Sequence, residues 1–329
     1  MKRNRFDQLS VLRVNYFIAF LMLSIVGNAS AAGWPARVFA PYMFIGSGDN
    51  FQLTQCDDAC GQKYYTLAFI IADKSNNPAW NGRTEMDKNL YAEQINGIRS
   101  RGGDVIISFG GADGTELAIA EPDPVALEAK YQSVIDQYKF TWLDFDIEGR
   151  ALSKMDVNQR RNNVLARLQA KNPGLIISYT LAVDPDGIPR NARRTLEDAK
   201  AKGVKVYSAN VMTMDYGEKF SKDKKMSDVS IASALKAREQ CQQIDPAILI
   251  GLTPMIGQND EKGEVFTLED AQALKAWADA QPWICSLSFW AVNRDSGKHG
   301  RKGNGNTTSG VEQKPWDYTL IFKPFTTAQ

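Results

Sequence analysis

Histidine is nearly absent from this chain. Its 329 residues contain one, His299. A single histidine excludes a multi-histidine zinc site and argues against a Ser-His-Asp triad. An excess of one charge is missing too. The 39 Lys and Arg against 38 Asp and Glu leave a net charge of +1, which gives no basic footprint for nucleic acid. No G-x-G-x-x-G follows an apolar run, which removes the usual reason to expect a dinucleotide fold. With 25 glycines and 13 prolines, the chain is neither collagen-like nor of low complexity. It has no Pro/Ser-rich linker and no internal repeat, so one domain is expected. Any chemistry must rest on carboxylates, hydroxyls and aromatics.

Long apolar runs are also missing, with one exception at the start. Lys2, Arg3 and Arg5 precede the run from Tyr16 to Val26, and Ala29-Ser30-Ala31 follows it. A basic n-region, an apolar h-region and an A-x-A-like site make residues 1–31 a secretory signal peptide. The run is shorter than the ~20 residues a membrane span needs. The expectation is an exported protein, secreted or periplasmic, with no membrane partner after cleavage and a mature domain over 32–329. Cys56, Cys60, Cys241 and Cys285 all lie in that domain. An oxidising compartment favours disulfides. A small loop closed by Cys56 and Cys60 is the simplest pairing, and a helix-to-strand bridge from Cys241 to Cys285 is plausible. Buried free thiols are the alternative for that second pair.

Short apolar runs alternate with amphipathic ones along the rest of the chain. Strands are expected at Arg37–Met43, Tyr64–Ala72, Asp104–Phe109, Phe140–Ile147, Leu175–Val183, Lys205–Met214, Ala247–Ile256 and Trp283–Val292. Most are apolar throughout, as strands covered on both faces are. Helical spacing links Leu127, Tyr131, Val134, Ile135 and Tyr138, and again Ile231, Ala234, Leu235, Arg238 and Cys241. Thr267-Leu-Glu-Asp270 reads as a capping-box start. Further helices fit 88–101, 156–171 and 191–202, and a last one falls near Tyr318–Phe325. Eight strands alternating with helices imply parallel pairing with right-handed crossovers. The fold class is therefore α/β, most economically closed as a single (β/α)8 barrel.

The densest chemical signal is Asp144-Phe-Asp146-Ile-Glu148. On a strand, alternate residues share a face, so the three acids project one way and Phe145 and Ile147 the other. Same-face neighbours sit ~7 Å apart at Cα, from a rise of ~3.3 Å per residue. Three anions so crowded cannot all persist, so a proton is held among them near neutral pH. A carboxyl kept protonated is a general acid. Glu148, nearest the mouth of the barrel, is the expected donor, with Asp146 placed to share its proton. A bound calcium or magnesium ion and a purely structural ladder are the other readings of such a triple.

These acids resemble the D-x-x-D-x-D-x-E signature of family-18 glycoside hydrolases, the chitinase family. Ser108-Phe-Gly110-Gly111 is similar to that family's S-x-G-G, Met212-Thr-Met214-Asp215-Tyr216 to its M-x-Y-D, and Ser288-Phe-Trp290 to its eighth strand. The likeness runs in order through nearly the whole mature chain, and resembles the bacterial secreted type without an α+β insertion. It implies a (β/α)8 barrel that hydrolyses β-1,4-linked N-acetylglucosamine, with chitin or its oligosaccharides as partner, acting as a monomer with no cofactor and no metal. It also implies substrate assistance, in which the acetamido carbonyl attacks the anomeric carbon. Glu148 would then be general acid and base, Asp146 would hold the acetamide N–H, and Asp144 would set the proton balance of Asp146. Asp215 matches the motif directly.

Two positions depart from the motif. Thr141 stands at its first Asp, on the face turned away from the ladder. Met214 stands where the family has a Tyr that orients the acetamide, so Tyr216 is the candidate to supply that hydroxyl. Trp290 is expected to floor the sugar site. Tyr42, Phe44, Trp80, Trp34 and Trp316 are candidates for flanking subsites, and Gly110 and Gly111 would clear room beside the acids. The stretch between Ile256 and Thr267 is too short for the walled groove of some members, which predicts a shallow, open cleft and weak processivity. A silent chitin-binding barrel and an endo-β-N-acetylglucosaminidase share this pattern. His299 with Lys298, Arg301 and Lys302 reads as a solvated Gly-rich loop, and Asn306-Thr-Thr308 fits a glycosylation sequon.

Overall fold

The eight expected strands close into a ring in the computed structural model of the protein, which describes residues 33–45, 52–85, 91–297 and 307–327. The signal peptide, His299 with its basic neighbours, and Asn306 lie outside the described residues. The chain begins with β1 (Val38–Phe39), β2 (Tyr42–Phe44), α1 (Leu53–Cys60), β3 (Tyr64–Ala72), β4 (Pro78–Trp80), β5 (Thr84–Glu85) and α2 (Ala92–Ser100). Next come β6 (Asp104–Gly110), α3 (Leu117–Ala120), α4 (Pro124–Tyr138), β7 (Trp142–Asp146), α5 (Gly149–Ser153), α6 (Met155–Lys171), β8 (Ile176–Ala182), α7 (Arg190–Ala201) and β9 (Val206–Met212). It ends with α8 (Glu218–Ser221), α9 (Met226–Ile244), β10 (Leu249–Thr253), β11 (Gly257–Gln258), β12 (Val265–Phe266), α10 (Leu268–Asp279), β13 (Ile284–Leu287) and α11 (Asp317–Phe322).

The parallel order is β13-β10-β9-β8-β7-β6-β3, and the first strand joins its ends. That strand is split into β1 and β2 at Ala40-Pro41. Proline has no N–H to give to a ladder, yet the Pro41 carbonyl accepts from Thr66 N–H at 2.9 Å. Val38 and Phe39 pair with Ser286 and Leu287, while Tyr42 to Phe44 pair with Thr66 to Ala68. This double attachment closes the (β/α)8 barrel. The sequence reading has no counterpart for the antiparallel β4–β5 ribbon beside β3, or for the β11–β12 hairpin.

Each strand's outward face packs under the helices. Leu143, Phe145 and Ile147 are fully buried in the main core. Phe145 stacks on Phe109 at 5.3 Å and meets the Tyr131 ring edge-on at 5.5 Å. Burying one such side chain is worth about 1.5–3 kcal/mol. The inward face begins with an aromatic plug. Trp142 meets Trp34 edge-on at 5.1 Å, with Val38, Ala40, Ile106 and Ile176 around them. The plug seals the N-terminal end of the barrel and leaves the C-terminal end open. Helix starts follow local chemistry: Thr267 caps α10 in a reciprocal capping box with Asp270, and Asp123 caps α4 ahead of Pro124.

The expected disulfides are not present. All four cysteines are free and buried. Cys56 and Cys60 lie one turn apart on α1 with sulfurs 3.3 Å apart, in hydrogen-bond contact. The segment expected to be a loop is a helix, so no loop exists there to close. Cys285 is turned to the Ile250 carbonyl at 3.6 Å and Cys241 is buried on α9.

Candidate active site

Strand β7 carries the acids up the inside of the barrel. Register places Asp144 between Ser108 of β6 and Ser178 of β8, and Asp146 between Gly110 and Thr180. Asp144 is 2% exposed and accepts from four hydroxyls: Ser178 at 2.7 Å, Ser108 at 2.8 Å, Thr180 at 2.9 Å and Tyr42 at 3.0 Å. Burial of an acid with no cation in contact raises its pKa, and the four hydroxyl bonds oppose that rise. Each such bond to a charged group contributes about 1.5–3 kcal/mol. Behind the cradle, Asn210 donates to Thr180 at 2.9 Å and accepts from Thr253 at 2.9 Å.

One step higher, Asp146 is 4% exposed and its Oδ1 has no partner among the described residues. Its carboxyl shares a hydrogen bond with Glu148. Burial raises the pKa of Asp146 well above the ordinary carboxylate range, and the charges of Glu148 and Asp144 raise it further. Burial also raises Glu148, with Asp215 and Asp113 adding to the rise while the Asp146 bond opposes it. Burial and mutual repulsion therefore favour one proton shared between Asp146 and Glu148. Glu148 stands just past the strand at the N-terminal end of α5, half-buried at the floor of a cleft of about 780 Å³.

Two glycines make room for this arrangement. Gly110 has φ +104°, and a Cβ there would lie 2.1 Å from the Asp146 carbonyl oxygen. Gly111 has φ +89°, and its N–H donates to that same oxygen at 2.9 Å. Only a residue without a side chain permits both the dihedral and the approach. Gly110→Ala is expected to destabilise the fold by about 1–3 kcal/mol through overpacking and to lower turnover with it. Thermal unfolding checks this, and an unchanged midpoint would contradict the close approach.

Aromatic rings floor the cleft. Trp290 is half-buried, stacked on Phe69 at 5.7 Å and 12°, with Phe44 at 5.7 Å and Tyr42 at 5.8 Å. Met212, Met214, Asp215 and Tyr216 line the wall from β9. Partial burial raises the pKa of Asp215, against the Glu261 N–H that its Oδ1 accepts at 3.0 Å.

Known proteins resemble this chain over most of its length. The probable bifunctional chitinase/lysozyme of Escherichia coli strain K12 is 30% identical over 326 residues, covering 92% of this chain and 36% of that protein. Endochitinase 11 of Metarhizium anisopliae is 31% identical over 289 residues, covering 82% of this chain and 54% of that protein. Active domain 2 of a thermostable chitinase from Pyrococcus furiosus, solved as catalytic-site mutants complexed with chito-oligosaccharides, is 35% identical. It superposes with a TM-score of 0.78 over 89% of this chain and 95% of that one. This chain belongs to the family-18 glycoside hydrolases. No family model matches it, and it spans about a third and about half the length of the two curated relatives.

Against the family-18 motifs, the residues fall as follows. Asp144, Asp146 and Glu148 share the inward face and rise toward the opening. Thr141 lies below β7 and accepts from Trp34 Nε1 at 2.9 Å, far down the barrel from the pair at its mouth. Tyr216 reaches the cleft wall, but its hydroxyl is directed to Ser230 of α9 at 3.4 Å, so it does not replace the tyrosine missing at Met214. Burial raises its pKa. Tyr42 lines the cleft beside Trp290 and gives its hydroxyl to Asp144 at 3.0 Å. Trp34 plugs the far end of the barrel, and Trp80 is buried with its Nε1 on the Tyr138 hydroxyl at 3.3 Å. Trp316 packs against the core by α11. None of these last three lines the cleft.

Several lining residues escaped the sequence reading: Phe69, Asn81, Arg83, Asp113, Asp184 and Asp260. Asp113 had a usable signal, because it follows the double glycine in the loop after β6, at the end of the barrel where sites form. Phe69 had none, since it sits inside an apolar strand whose two faces read alike.

Proposed function

We propose that this chain is an exported chitinase that cleaves β-1,4-linked N-acetylglucosamine polymers with retention and with help from the substrate. The observation that carries this reading is the hydrogen-bonded Asp146–Glu148 pair at the foot of an open cleft, beside the Trp290 floor. In the first step the acetamido carbonyl oxygen bonds to the anomeric carbon while the glycosidic C–O bond breaks. The proton leaves Glu148 for the departing oxygen. Asp146 holds the acetamide N–H, and its charge balances the oxazolinium. In the second step water attacks the same carbon, loses a proton to Glu148 and restores the acetamide. Two displacements at one carbon, from opposite faces, each invert the centre and together give retention. The charge of Asp144 raises the proton affinity of Asp146. Asp215 adds negative charge near Glu148, which favours the protonated form that the first step needs.

Residues 257–266 form only a short hairpin, so the cleft lacks a tall wall on that side, in keeping with an open groove and weak processivity. The first 31 residues would direct export. The deciding experiment is product analysis on defined N-acetylglucosamine oligomers with NMR assignment of the anomer. Shorter oligomers released first as the β-anomer, undiminished by EDTA, are expected. Binding without cleavage would leave a lectin, and cleavage of high-mannose glycans but not of the oligomers would point to an endo-β-N-acetylglucosaminidase. Loss of activity in EDTA would count against the mechanism.

A further inference from the structure

The segment 213–217 bears Asp215 yet belongs to no strand or helix. It leaves β9 after Met212 and enters α8 at Glu218. Within it Asp215 takes φ +52°, the left-handed region that residues with a Cβ adopt at a cost. Beyond Thr213, whose N–H donates to the Thr253 carbonyl at 3.0 Å, the backbone has no ladder to hold it, and its N–H groups need partners. Two side chains of the hairpin turn supply them. Glu264 Oε2 accepts from Tyr216 N–H at 3.1 Å, and Asn259 Oδ1 accepts from Asp215 N–H at 3.4 Å. The turn also reaches back, since Glu261 N–H donates to Asp215 Oδ1 at 3.0 Å.

The hairpin is itself fixed. Asn259 Nδ2 donates to the Met255 and Gly257 carbonyls at 2.9 and 3.1 Å, and Asn259 N–H donates to the Glu264 carbonyl at 3.0 Å. Gln258 N–H donates to the Ser309 carbonyl at 2.7 Å. Arg294, 1% exposed, donates to the Ile256 carbonyl at 3.1 Å and also to that of Gln258. Gly257 lies so close to residue 309 that a Cβ would meet its carbonyl oxygen at 1.9 Å. Glu264 is 2% exposed, and its Oε1 has no partner among the described residues. A buried carboxylate half-satisfied in this way costs stability, and the one bond it does make here orients the backbone next to Asp215.

We propose that the β11–β12 hairpin is a clasp for Asp215, and that Glu264 and Asn259 are positioning residues that hold its carboxylate toward Glu148. This rests on the reading of Asp215 as a participant in hydrolysis. The charged groups facing Asp215 are Glu148 from the end of β7, Asp260 and Glu264 from the turn, and Arg294 from beyond β13. Loosening the clasp changes the distance from Asp215 to Glu148 without removing any of these charges when Asn259 is the residue replaced. Misplacement by about 1 Å can cost on the order of 100-fold in rate.

The test measures kcat, KM and the pH profile on the N-acetylglucosamine tetramer. Glu264→Ala and Asn259→Ala are each expected to lower kcat about 10–100-fold, to leave KM within about threefold and to move the pH limb assigned to Glu148. Glu264→Gln, which keeps an acceptor oxygen for Tyr216 N–H, should recover most of the loss. In an Asp215→Asn background, adding Glu264→Ala should cost less than about threefold, because residues acting through one group are not additive. Wild-type kcat in both alanine variants, or losses that multiply in the double variant, would overturn the clasp. Wild-type kcat in Asp215→Asn alone would instead remove the reading of Asp215 on which it rests. Should Glu264→Ala fail to fold, Asn259→Ala, at a half-buried position, decides by the same kcat and pH readouts.

Discussion

Glu148→Gln is expected to lower kcat on soluble N-acetylglucosamine oligomers by about 10³–10⁴-fold, the upper part of what general acid catalysis supplies. Oligomer affinity should stay within a few-fold of wild type. The amide matches the carboxyl in shape, so the cleft floor around Trp290 is undisturbed, but it has no acidic proton to give. Both steps of the proposed reaction use this one group, first as donor and then as base, and no neighbour is placed to stand in. Asp146 lies deeper at 4% exposure, and Asp215 reaches the cleft from the segment that follows β9. Single-turnover kinetics with a binding titration would check this, and residual kcat within tenfold of wild type would rule Glu148 out as the acid.

Asp146→Asn should show the second largest effect, with two opposite signs in one protein. Turnover should fall about 10²–10³-fold, the usual loss when a group that stabilises developing charge is removed. Stability at pH 7 should rise, by roughly 0.5–2 kcal/mol, as when strain at a functional site is relieved. The sign follows from proton counting. Burial and two neighbouring carboxylates hold the folded pKa of Asp146 well above the ordinary 3.8. Between that ordinary value and the raised one, the unfolded chain has released its proton while the folded one keeps it. The folded state then binds more protons, and stability falls as pH rises through that window. Asparagine cannot ionise, so the variant should lose this part of the slope. Unfolding midpoints from pH 4 upward would check it; a variant less stable than wild type at pH 7 would contradict the burial argument.

Much of the fold was legible because its signal is repetitive. Eight apolar runs separated by amphipathic ones leave few topologies, and strand alternation alone put Phe145 and Ile147 on one side and the three acids on the other. What was not legible depended on contacts between distant segments. The run 37–43 gave no sign that Pro41 splits one strand into two that pair with different neighbours. The Cys56–Cys60 spacing suits a loop closure and one helical turn equally well, and burial of Leu53, Cys56 and Cys60 on α1 selects the helix. Tyr216 follows Asp215 directly, but the left-handed turn at Asp215 sends its hydroxyl to Ser230 instead of the acids. Ten residues before α10 looked like a plain connection, and only the fold brings Asn259 and Glu264 to the Asp215 backbone.

The hydroxyl cradle around Asp144 has a consequence for the reaction cycle. An arginine in the same place would lock the carboxyl as an anion, because a guanidinium can only donate. Serine, threonine and tyrosine rotate their O–H bonds and can donate or accept. They suit an anion and a neutral acid alike, with no heavy atom displaced. The barrel interior can thus take up or release charge at its centre at each turnover while its packing stays fixed.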